Sequence, residues 1–152
     1  RDGEKTDIVW NNQENYISSE GKLEQAYSQI KDKLEMPVLK LNYIPTGMKF
    51  SGLTIENGHA RLELDYKNNY VYVLQIYYSK DNSDADFSDG EEYTSVFNEW
   101  LNLTIPVRRV AVTNTEFEYY AYLENGSAHY YLQGIMKEEE FFNIVMNLTI
   151  EL

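Results

Sequence analysis

The chain has 152 residues, 43% of them hydrophobic and 14% aromatic; that is enough to bury one core in a single domain and too apolar for a disordered chain. A formal net charge of -12 excludes the basic footprint that nucleic-acid phosphates require and disfavours an anionic membrane surface. There is no cysteine, so disulfides, thiolate nucleophiles and cysteine-based metal sites are excluded together.

Residues 1–18 are polar apart from Ile8-Val9-Trp10 and Tyr16-Ile17 and read as an N-terminal arm or tether, with residues 19–152 as one domain. The chain opens at Arg1 and carries neither a signal peptide nor an apolar run of about 18 residues. The expectation is a processed piece whose contact with a membrane runs only through a missing N-terminal anchor. Next, Leu23, Ala26, Tyr27, Ile30 and Leu34 fall on one stripe at helical spacing. Ser19 is placed as an N-cap and Glu20 in the first turn, where the helix dipole favours a carboxylate. Pro37 ends the helix.

After Pro45-Thr46-Gly47 the period changes from helical to alternating. Asn57-Gly58 between alternating runs predicts a two-residue hairpin pairing Ile55 with Ala60 and Leu53 with Leu62. A three-residue loop at Lys67-Asn68-Asn69 would pair Leu64 with Tyr72 and Leu62 with Leu74, keeping the apolar face together. The segment 93–113 supplies one or two strands interrupted at Pro106. A further hairpin at Asn125-Gly126 sets Leu123 against Ala128, Ala121 against Tyr130 and Tyr119 against Leu132. Near the end, Phe141, Phe142, Ile144, Val145 and Leu148 have helical spacing behind Glu138, Glu139 and Glu140, acids that suit a first turn. The fold class is therefore α+β: a single antiparallel, meander-like sheet with an N-terminal and a C-terminal helix packed on it.

The acidic run 81–92 contains Asp81, Asp84, Asp86, Asp89, Glu91 and Glu92. It fails as a calcium loop: counted from Asp84, the glycine arrives one residue late and a serine, Ser95, stands where the bidentate glutamate belongs. It reads as a solvated connection. His59 and His129 are the two histidines and lack metal-ligand spacing. No nucleophile elbow, phosphate loop or dinucleotide fingerprint occurs, so no catalytic residue, metal or cofactor is assigned.

One constellation points to binding. In the last hairpin the face away from the core pairs Tyr122 with His129 and Tyr120 with Tyr131. Tyr77 leaves the core face of its own strand. Tyr77, Tyr120, Tyr122, His129 and Tyr131 are thus the candidate ligand-binding residues, for a glycan, peptide or lipid. The alternative is that a helix or the arm covers this face, or that paired tyrosines only stabilise the sheet.

The segments "KLEQAYSQIKDKLEMPVLKLNYIPTGMKFSGLTIENGHARLELDY" and "EYYAYLENGSAHYYLQGIMKEEEFFNIVMNL" resemble the bacterial domain-of-unknown-function family 4367 over about residues 22–148. In that family a helix leads to a "P-x-Y-(L/I)-P-x-G" segment, and an aromatic hairpin precedes a closing helix. Met136 stands where a serine-type cap is usual, and Leu41 where the pattern often has proline. The resemblance implies the extracytoplasmic part of a membrane-anchored bacterial protein, often beside an anti-sigma-factor-like cytoplasmic part. It implies a non-catalytic sensory or interaction role with an unknown protein, glycan or lipid partner, and transfers no catalytic residues.

Overall fold

The computed structural model describes residues 5–8, 19–66, 69–80 and 89–152, with 5–8 and 69–71 described at the backbone only. Lys5–Ile8 (β1), within the segment expected to be an arm, forms a short strand. Ser19–Leu34 is the expected helix (α1), and its five stripe residues are all buried. The Ser19 hydroxyl accepts a hydrogen bond from the Phe50 N–H at 2.9 Å, fastening the helix start to the sheet. Glu35 ends the helix at a left-handed φ of 52°, two residues before Pro37.

Val38–Leu41 (β2) follows, then the Pro45–Gly47 turn, closed by a 3.0 Å bond from the Met48 N–H to the Pro45 carbonyl. The sheet strands are Met48–Glu56 (β3), His59–Tyr66 (β4), Asn69–Lys80 (β5), Glu91–Asn98 (β6), Leu103–Ala111 (β7), Phe117–Asn125 (β8) and Ala128–Ile135 (β9). Glu138–Met146 (α2) and Leu148–Glu151 (β10) complete the chain; Leu148, expected on the closing helix, instead opens β10, because Asn147 leaves the helical conformation and ends α2. Among the described residues, eight strands form one antiparallel sheet in the order β1-β3-β4-β5-β9-β8-β7-β6. Two local meanders therefore meet at β5 and β9, and the β5–β6 connection carries the chain from mid-sheet to the far edge.

Beyond the expected sheet and helices, β10 pairs antiparallel with β2 in a separate two-stranded ribbon. The ribbon lies on the helical side, where Tyr78 donates to the Leu39 carbonyl (2.6 Å) and Tyr130 to the Pro37 carbonyl (2.7 Å). One core joins α1, α2 and the ribbon to the inward residues of the sheet, among them Leu62, Leu74, Ile76, Ile105 and Leu132.

The first hairpin has the expected register, with Ile55 opposite Ala60 and Leu53 opposite Leu62. Asn57 and Gly58 both take positive φ, at 54° and 79°, as a type I′ turn requires. Two other registers differ from expectation. Leu62 faces Ile76 and Leu64 faces Leu74, because Tyr66 already pairs with Asn69 and the extra residues of β5 are taken up in an irregularity next to that turn. The last hairpin turns at Gly126-Ser127, setting Leu123 against Tyr130 and Ala121 against Leu132. Of those two turn residues only Gly126 has positive φ (63°), the II′ arrangement with glycine first. Both displacements are two residues, so by the period of the strand every side chain stays on its expected face. Pro106 sits within β7, where pairing with β8 begins only at Val107.

Candidate functional site

The sheet face opposite both helices is a grid of polar and aromatic side chains set by cross-strand register. Its central row runs Arg61, Tyr77, Tyr131, Tyr122 across β4, β5, β9 and β8. On one side lies the row His59, Ser79, His129, Glu124. On the other lies Glu63, Gln75, Gln133, Tyr120, Arg108, Glu92, which reaches the β6 edge. The acidic segment 81–88 lies outside the described residues, but its neighbour Asp89 is placed over this face.

All five residues expected from the sequence come together here. The Tyr77 and Tyr131 rings are 6.0 Å apart, and Tyr120 stacks on Tyr131 at 6.1 Å. Tyr122 stacks on His129 at 6.1 Å, with its hydroxyl 2.7 Å from Nδ1. The Tyr120–Tyr131 and Tyr122–His129 partners are the expected ones although the register is displaced, because diagonal neighbours on a strand pair remain within aromatic reach. The Tyr77–Tyr131 pair, directly opposed across β5 and β9, was not expected. Tyr120 is only 8% exposed yet lies apart from the main core, buried by its neighbours on this face.

A polar frame holds the rings. Tyr131 donates to Asp89 Oδ2 (2.8 Å), Tyr120 to Glu118 Oε1 (2.8 Å) and Tyr77 to Gln75 Oε1 (3.2 Å). Gln133 donates to the second Glu118 oxygen (2.7 Å), and Gln75 reaches Glu63 at 3.4 Å. Arg108 donates to the Asp89 and Gly90 carbonyls at 3.0 and 2.7 Å, anchoring the end of the β5–β6 connection. Burial pushes the Tyr120 and Tyr131 hydroxyls well above the usual phenol value, and the hydrogen bonds to Glu118 and Asp89 add to the rise. Burial raises Tyr77 and Tyr122 as well. At neutral pH all four are neutral hydroxyls.

Among the described residues, grooves open on this face. The larger, about 660 Å³, is lined by Glu92, Thr94, Pro106, Arg108, Tyr120, Tyr122 and Tyr131. The smaller, about 300 Å³, is lined by Thr54, Glu56, His59, Arg61 and Tyr77. His129 lines neither and touches Tyr122. Arg108 and Asp89 were not candidates from the sequence. The alternation at Val107-Arg108 could have placed Arg108, but Arg109 breaks it: on the core side its guanidinium lies 3.6 Å from the Tyr93 ring centre and 4.0 Å from that of Phe117, with Glu138 at 3.6 Å. Among the described residues no three histidine or carboxylate groups come together as a metal site.

A family model covers residues 38–148, from β2 to the first residue of β10. The chain belongs to DUF4367, a domain of unknown function. The matched region of this DUF4367 domain contains β3 to β9, which carry the tyrosine face, and leaves β1 and α1 outside. Neither curated proteins nor solved structures provide a match. No described helix is long and apolar enough to cross a membrane.

Proposed function

We propose that this DUF4367 domain is a non-catalytic binding module whose ligand sits on the tyrosine face. The observation that carries the reading is the placement of Tyr120, Tyr122 and Tyr131 opposite both helices and against the 660 Å³ groove, with Tyr77 beside Tyr131 at the smaller one. That volume is within the range of small-ligand sites, roughly 300–1,000 Å³. The face carboxylate Glu118 is held by a phenol and an amide donor, which fix its orientation. The test is NMR of protein labelled with 13C-tyrosine, assigned by single Tyr→Phe variants and screened against pools of saccharides, short peptides and lipid vesicles. Movement of these four ring signals by one pool is the expected outcome; silence with every pool would overturn the reading.

The family resemblance favours a setting for this module: the extracytoplasmic part of a membrane-anchored bacterial protein, where ligand capture feeds a sensory or interaction role. The absence of cysteine fits export without disulfides. Alkaline phosphatase fused to the C-terminal end of the full-length protein should be active, because that enzyme matures only after export. An inactive phosphatase with an active cytoplasmic reporter at the same position would reject the setting.

A further inference from the structure

We propose that the ligand of the tyrosine face is an uncharged oligosaccharide laid across the strands, an inference that rests on the binding-module reading above. The choice follows from what the face offers. Its backbone is consumed in the sheet ladders, so an extended peptide could not add main-chain bonds there as it does at a strand edge. An acyl chain would meet phenols, amides and carboxylates, and would strip their solvent contacts without replacing them.

A sugar ring has a C–H face and a rim of hydroxyls. The negative π-face of a tyrosine attracts the first. Tyr77, Tyr131 and Tyr122 occupy three adjacent strands, a run of about 10 Å across the sheet. The row two residues further along, about 7 Å away, holds Glu63, Gln75, Gln133 and Arg108, which accept from and donate to hydroxyls. Carboxylates make the stronger, charge-assisted bonds; Glu63 is already oriented by Gln75, and Glu118, one row further on, by Gln133. The site is built for neutral sugars. Glu63, Asp89, Glu92 and Glu118 outnumber Arg61 and Arg108 on the face, and the chain carries -12 overall, so a uronic-acid polymer is repelled.

The same 13C-tyrosine spectra decide it, titrated with hexamers of β-1,4-linked glucose and of N-acetylglucosamine, and with a galacturonate hexamer as the anionic arm. The expected result is that a neutral hexamer moves the Tyr77, Tyr122 and Tyr131 signals, with galacturonate at least about tenfold weaker. Tyr131→Ala should weaken binding about tenfold, and Tyr131→Phe, which keeps the ring, by about threefold or less. Folding of both variants is checked by thermal melting, and the Tyr122→Ala variant supplies the ring-loss test if Tyr131→Ala melts early. Galacturonate binding as tightly as the neutral hexamers would overturn the stated charge preference. Ring signals that answer only to peptides or vesicles would overturn the saccharide and leave the binding face standing. Signals that answer to nothing would remove both.

Discussion

Asn98 is fully buried, and its amide is fully used: Nδ2 donates to the Val145 and Leu148 carbonyls at 2.8 and 2.9 Å, and Oδ1 accepts from the Leu101 N–H at 2.9 Å. One side chain thus joins the β6–β7 turn to the end of α2 and the start of the ribbon. Asn98→Ala orphans three backbone groups and should cost about 2–4 kcal/mol in denaturant unfolding. Asn98→Asp, which loses both donors, should cost at least as much at neutral pH; a change under about 0.5 kcal/mol in both would contradict this account. Gly90 is the other demanding position. It has φ 73°, and an added Cβ would lie 2.9 Å from the Arg109 carbonyl oxygen. Because this obstacle is backbone, Gly90→Ala should destabilise by about 1–3 kcal/mol. It should also shift the Tyr131 ring signal, since the neighbouring Asp89 holds that hydroxyl.

Tyr78 and Tyr130, whose rings meet edge-on at 5.9 Å, tie the β2–β10 ribbon to the sheet through hydroxyls bonded to the Leu39 and Pro37 carbonyls. Tyr78→Phe and Tyr130→Phe keep the packing and lose one bond each. Each should lower unfolding stability by about 0.5–1.5 kcal/mol, and a double-mutant cycle should show coupling because the rings touch and the carbonyls belong to one short segment. Additive losses would mean that the ribbon docks through two independent contacts. The α1 stripe and the Asn57-Gly58 turn were readable from the sequence because each depends on local spacing and local φ. The ribbon was not: β10 has four residues, and its partner lies at the other end of the matched region. The register at Tyr66 was equally hidden, because the irregularity in β5 changes which residues face each other without changing which face they occupy.

At the scale of the whole molecule, the tyrosines make folding sensitive to alkali. Burial raises Tyr27, Tyr78, Tyr120, Tyr130 and Tyr131 above the ordinary value of 10.0. Above that pH the unfolded chain releases phenolic protons that the folded protein retains. Stability is therefore whole below about pH 10 and falls as pH rises toward the folded values. Absorbance at 295 nm should show a group of tyrosines that ionises only together with loss of the far-ultraviolet circular dichroism signal. Smooth ionisation of every tyrosine near pH 10 with the fold intact would contradict the burial described here.

By itself the sequence determined the fold class, the helix positions, the faces of the strands and the five residues of the aromatic constellation. These follow from period and composition, which survive a two-residue slip of register. Only the tertiary structure decided which strands are neighbours, above all the meeting of β5 with β9 that brings Tyr77 from one meander against Tyr131 of the other. It also brought Asp89 to that face, because the connection between β5 and β6 has no periodicity from which its path could be read, and Arg108, whose strand alternation is masked by Arg109. The tyrosine face is a product of that non-local pairing, with aromatic residues supplied by two separate stretches of chain and a polar frame supplied by five strands and Asp89.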